Sequence, residues 1–331
     1  MRKTFLLLLV ILGLAPGTWL RSPRPSADER QLLSLRALQI PEVDLGPLEP
    51  TGAWVLDSPN DNFGSYSALV ALRDGTLLAA SDKGTMMRFS PPGARAEGVR
   101  IGYFGQDGNR PKWQLDIESM TRDPASGRLW QGFEGDNRIE RFDPRSRVRA
   151  TVQPEAMRNW PSNEGPEAMV RLADGRFIVI AEGTRRWLDD EAPALLFPHD
   201  PVARAEPVAF RFVAPAGYRP VDIVQLPDGR ALILLRKVVW GIPPGFAGKL
   251  VLADPATIRP GEAWRTELLA DLVAPLPSDN FEGLAVESDG RGGIALWLIS
   301  DDNDSIVQRT LLLRLDWPAN AKARGNLRAP R

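Results

Sequence analysis

The chain of 331 residues contains no cysteine and a single histidine, His199. Without cysteine there is no disulfide, no thiolate metal site, no thiol nucleophile and no lipidated cysteine to serve as an anchor. One imidazole cannot supply the two or three His ligands of a zinc centre. A serine triad would have to recruit His199 from the connection LLFPHDP, and no Gly-x-Ser-x-Gly elbow occurs anywhere in the chain. Charge of one sign is lacking too: 41 Lys and Arg stand against 42 Asp and Glu, a formal net charge of −1. That balance excludes the basic footprint of a nucleic-acid binder and gives no pull toward an anionic membrane. Helix signals are scarce, whereas 29 Gly and 30 Pro provide a turn every several residues.

What the chain has is one pattern written five times. Residues 164–183 read EGPEAMVRLADGRFIVIAEG: an apolar run, an Asp-Gly turn, a second run rich in Ile and Val, then an acid. Asp-Gly between two such runs is a strong hairpin signal. The pattern recurs as SALVALRDGTLLAASD at 67–82, ESMTRDPASGRLWQGFE at 118–134, DIVQLPDGRALILLR at 222–236 and EGLAVESDGRGGIALWLISD at 282–301. The turn glycines Gly75, Gly127, Gly175, Gly229 and Gly290 are spaced by 52, 48, 54 and 61 residues, near the upper end of the period of a four-stranded propeller blade. A repeat made only of strands cannot bury its apolar faces alone, so the units must stack radially. The expected fold is therefore all-β, a single-domain six-bladed β-propeller over 32–317. The sixth blade is expected from 32–55 together with the final strand 311–317, closing the ring.

Residues 1–20 read as a signal peptide or N-terminal anchor. Arg2 and Lys3 precede an apolar run at 5–14, as in a secretory leader; the whole apolar stretch of about 16 residues falls short of the roughly 20 that a spanning helix needs. The expectation is export to the periplasm or medium, with the membrane touched only through this segment if it stays uncleaved. Residues 21–31 read as a linker and 318–331 as a tail.

Charged residues keep a register with the turns. Seven residues past the turn glycine stand Asp82, Glu134, Glu182 and Arg236, and Asp301 takes the same place after a longer last strand. Ser67, Glu118, Glu167, Asp222 and Glu282 open the first strands, with Asp61, Asp116, Glu164 and Asp279 upstream of several of them. In an antiparallel hairpin the start of one strand lies beside the end of the other, so both sets are expected at one mouth of the propeller. A crowd of oxygen ligands without imidazole or sulfur suits a hard cation such as Ca²⁺, with Glu118, Glu134, Glu182, Asp222 and Asp301 as its candidate ligands. Lys83, Arg138, Arg185, Arg236 and Arg309 are interleaved with the acids and suit an anionic small molecule. Each carboxylate also has a structural use, accepting backbone N–H groups from the next blade or staying solvated in a wet channel, and that reading stays open. Tryptophans such as Trp130 and Trp297 are expected between blades, and Trp187 is the one placed to serve as a substrate platform.

Several pieces together resemble the phytase-like propellers known by their "esterase-like activity of phytase". They are FGSYSAL at 63–69, SDKG at 81–84, LDIESM at 115–120, GDNRIERFDP at 135–144, NEGPEAMVRLADGR at 163–176, NFEGLAV at 280–286, LISDDND at 298–304 and QRTLLLRLDW at 308–317. The family's S-D-R-G carries lysine here at Lys83, and its doubled glycine near Phe63 reads Gly64-Ser65-Tyr66. The resemblance implies a propeller and points to hydrolysis of phosphoesters or other esters. With thiols and a second histidine missing, a cation-activated water is the expected nucleophile. Glu167 and Glu282 are the candidate bases, and Arg236, Lys83, Arg185 and Arg309 the groups that hold the anion. A non-catalytic ligand-binding or scaffold propeller is the alternative.

Overall fold

The computed structural model of the chain describes residues 28–95, 98–104, 108, 110–143, 149–161, 163–183, 191–288, 290 and 292–319. The leader at 1–20, Arg185 and Trp187 lie outside them, as does the tail from 320 onward.

Each repeat folds as the inner hairpin of one blade. The Asp-Gly turns are alike in three of them: Asp74, Asp174 and Asp228 accept the backbone N–H of Thr76, Arg176 and Arg230 through Oδ1, at 3.0, 3.0 and 3.1 Å. The glycine that follows takes a left-handed φ, +81° at Gly75 and +92° at Gly175 and Gly229, which is why this position disfavours side chains that carry a Cβ. The second strands, Leu77–Ser81, Leu129–Phe133, Phe177–Ala181 and Ile294–Ser300, are buried along their whole length. Except at Gln131 and the terminal serines Ser81 and Ser300 they read as apolar runs, because neighbouring blades cover both faces. Trp297 and Trp130 are buried among them.

Among the described residues five sheets result, not six. The innermost strands are Tyr66–Ala71, Ile117–Arg122, Pro166–Arg171, Arg219–Gln225 and Phe281–Ser288, and each packs against the next until the fifth meets the first. The expected sixth blade is corrected here. Leu311–Trp317 does pair with Glu49–Asp57, as the closing strands should. It also pairs with Ile294–Ser300 of the last hairpin, so the flanking strands complete the fifth blade, in the order Ser34–Ala37, Glu49–Asp57, Leu311–Trp317, Ile294–Ser300, Phe281–Ser288. The flank holds too few strands for an independent blade, and the last hairpin lacks outer strands of its own; joining them satisfies both edges.

Candidate functional site

Every inner strand carries a β-bulge near its start. The unpaired residue in the register is Ser67, Glu118, Glu167, Val221 or Glu282. A bulge re-aims a side chain where the ladder ends, and here it gathers acids from three blades. Glu118, Glu167 and Glu282 act electrostatically on one another across the mouth. The acids at the ends of the second strands join them as expected, because the backbone N–H of Glu134 reaches the carbonyl of Asp116 and that of Asp301 reaches Asn280, at 3.1 and 2.9 Å.

Asp222 is the exception. It lies one residue past the bulge, at the level of Ala68, Ser119, Ala168 and Gly283 in the other blades. Those four positions are small, and Asp222 uses the room. One carboxylate oxygen accepts the N–H of Leu284 at 2.6 Å, the other its neighbour Ile223 at 2.7 Å, and Leu69 of the first blade donates as well. Burial raises its pKa well above the usual range, against these backbone donors. The carboxylate ties three blades together beneath the mouth.

Two groupings organise the mouth. In the second blade Asp116, Glu118 and Glu134 each offer an oxygen within 4.8 Å of the others. Burial first, then repulsion from neighbouring acids, pushes Asp116 up to about 6 and Glu134 to about 7, and drives Glu118 well above its ordinary value. Asp116 bonds to Glu118, and Glu134 to Glu167, contacts that need a shared proton or a cation. Close by, Lys112 donates to Asp82 Oδ2 at 3.2 Å, while Asp82 Oδ1 is buried and has no hydrogen-bond partner. The other grouping surrounds Arg236. Its Nη1 donates to Glu282 at 2.7 Å and Asn280 at 3.0 Å, and its Nη2 to Glu182 at 2.5 Å. Burial works against the guanidinium charge, but Glu282, Glu182 and Glu167 outweigh it and push the pKa up.

Glu118 and Glu134 thus come together with Asp116, whereas Glu182 is held by Arg236. Asp301 is buried beside Glu282 and Asp82, and its pKa is raised by burial and by those two charges. Lys83 pairs with Asp304 at the rim. Arg309 stands 3.6 Å from Asp279. Arg138 is built into the second blade, bound to Asp136 and Glu140 and lying 3.8 Å over the Phe133 ring. Sequence reasoning missed Lys112 and Asn280; the position of Lys112, four residues before Asp116 in KWQLD, was the available signal. At the opposite mouth, away from the acids, the turns enclose a cavity of about 390 Å³ walled by Val70, Val170, Val224 and Val286 with Arg122 and Arg171 at its edge.

A family model described as "Esterase-like activity of phytase", of the phytase-like kind, matches residues 61–304. No curated protein matches the chain. Among solved structures, the nidogen/laminin complex contains a chain with 10% identity and TM-score 0.42, covering 87% of this chain and 99% of that one. A luciferin-regenerating enzyme shows 12% identity and TM-score 0.43, over 81% and 87%. A protein from Lactobacillus plantarum shows 10% and 0.36, over 71% and 80%.

Proposed function

Because the chain belongs to the phytase-like family described as "Esterase-like activity of phytase", we propose that it hydrolyses an anionic ester, a phosphoester foremost, at the acidic mouth with the help of a hard divalent cation such as Ca²⁺. The observation that carries this reading is the Asp116, Glu118 and Glu134 cluster, three carboxylates within 4.8 Å with raised pKa values. The residues fit such an ion: all donors are oxygen, and close by, Asp82, paired with Lys112 through Oδ2, leaves its buried Oδ1 without a hydrogen-bond partner. Asp116, Glu118 and Glu134 would hold the cation. Once bound, it would neutralise the crowd of acids and polarise the ester oxygen.

The chain's own residues divide the remaining work. Glu167, bonded to Glu134, is the base that takes the proton from the attacking water. Glu282 is less free for that task, since its Oε1 already accepts from Arg236 and Asn280. Arg236 accordingly fixes Glu182 and Glu282 and supplies positive charge from below. Lys112, Lys83 and Arg309 stand at the rim, where they recognise the anionic group. Asp222, closing the space beneath, gives water and substrate a common side of approach. We place the activity outside the cytoplasm on the strength of the leader at 1–20.

The test is hydrolysis of p-nitrophenyl phosphate and p-nitrophenyl acetate with Ca²⁺, Mg²⁺ or Mn²⁺ after chelation. Turnover that needs a divalent ion and falls at least a hundredfold in Glu167→Gln supports the reading. Lack of turnover with every ion, alongside a rise in Tm with Ca²⁺, favours the second reading, a ligand-binding or scaffold propeller, to which the self-contained Arg236 network lends weight.

A further inference from the structure

Among the described residues no helix is long and apolar enough to cross a membrane, yet one hairpin carries apolar surface straight into solvent. Ala231–Val239 climbs from the turn face, and its Arg236 pairs with Arg219 where the fourth inner strand begins. The strand then continues upward, Val239 pairing with Gly245, so the hairpin projects beyond the acidic mouth. Its tip reads Val-Val-Trp-Gly-Ile at 238–242. Trp240 is 87% exposed and Ile242 fully so, with Val238 and Val239 near one-half. Side chains of this size favour burial, and among the described residues the tip finds no cover. Trp113, Ile306 and Val307 add exposed apolar surface on the same face.

The described chain also begins at this face. Asp28 accepts the N–H of Asp61 at 2.8 Å, and Arg30 accepts from the Asn60 side chain at 3.0 Å. Both partners stand just above the end of Glu49–Asp57, on the way into the first inner strand. The 27 residues before Asp28, the apolar run at 5–14 among them, therefore join the described chain on the side of the hairpin tip.

We propose that the hairpin tip is a membrane-contact element that sets Trp240 and Ile242 into the interfacial region of a bilayer and turns the acidic mouth toward the lipid. A narrow convex tip finds cover in a deformable medium without needing a shaped pocket, and Trp favours the headgroup level. Lys237 stands at the base of the tip, its Nζ 5.5 Å from the Tyr218 ring centre. The formal net charge of −1 and the acidic mouth favour a zwitterionic surface over an anionic one. The inference is independent of any chemistry at the mouth.

Because the chain has no cysteine, Ile242→Cys in the full-length protein, labelled with a polarity-sensitive dye, reports on the tip alone. With phosphatidylcholine vesicles the dye should shift to the blue and brighten several-fold. The same dye at Asp174→Cys, on a turn at the opposite face, should not respond, and adding Trp240→Ser should remove most of the response at 242. An aqueous dye spectrum on chain that sediments with vesicles overturns the proposal, as does failure to bind vesicles at all. A blue shift without lipid that tracks self-association in sedimentation velocity and vanishes in Trp240→Ser assigns the tip to a second copy and overturns it too.

Discussion

Asp116 and Glu134 hold their protons to about 6 and about 7, and the direction of that shift fixes how stability follows pH. Unfolded carboxylates titrate near 4, so between about 4 and 7 the folded chain binds more protons than the unfolded one and loses stability as pH rises. In EDTA, Tm should fall by a few degrees from pH 5 to pH 8, and millimolar Ca²⁺ should restore it mainly at the upper end. An equal Ca²⁺ response at pH 5 would place the ion elsewhere. Glu134→Gln removes one charge from the crowd; it should raise Tm in EDTA at pH 8 and abolish the Ca²⁺ response. Substitution at Asp222 should act in the opposite sense, lowering stability, because its carboxylate satisfies backbone donors on several strands. Asp222→Ala leaves buried N–H groups unpaired at about 1–3 kcal/mol each, a loss that urea denaturation would read without any ion present. Its separate role was legible in the sequence. From Ser67, Glu167 and Glu282 to the turn glycine is eight residues, from Asp222 only seven, which makes Val221 the equivalent position. A one-residue offset in a strand reverses the facing of the side chain.

At the scale of the element, the hairpins were the most legible part, since an Asp-Gly turn between two apolar runs encodes them locally. All five recur in the fold. The bulges were not legible, because an extra residue at the head of a strand leaves the alternation further along it unchanged. The sixth blade was misread for a related reason: strand sequences state which faces are apolar but not which neighbour takes the free edge, and Leu311–Trp317 has partners on both sides. Blade spacing depends on small residues at the inner level. A methyl at Gly283 would stand 2.6 Å from Ile299 Cγ2 and 2.9 Å from the backbone carbon of Ala68 in the first blade. Gly283→Ala should therefore cost about 1–3 kcal/mol, measured as a lowered denaturation midpoint with an unchanged slope; a neutral result would mean that the first and fifth blades can move apart.

Across the whole molecule, composition already excluded thiol and zinc-imidazole chemistry, and with no nucleophile elbow beside the one histidine it left the acids as the feature to explain. Which of them converge depended on blade order around the ring, a long-range property that no single repeat contains. Truncation after Thr310 should abolish cooperative unfolding, because it removes the strand that joins Glu49–Asp57 to Ile294–Ser300; a truncated chain with a sharp transition would show that the other four blades fold without closure.

That closing strand also sets a clock. Ala53 pairs with Leu313, so one of the first strands to be synthesised waits for one of the last. Until the ribosome has nearly finished, the fifth blade lacks its middle and the early strands keep a bare edge. Long-range pairing of this kind makes for late, slow folding. Under the export proposed above, that delay would keep the ring from locking shut before translocation begins.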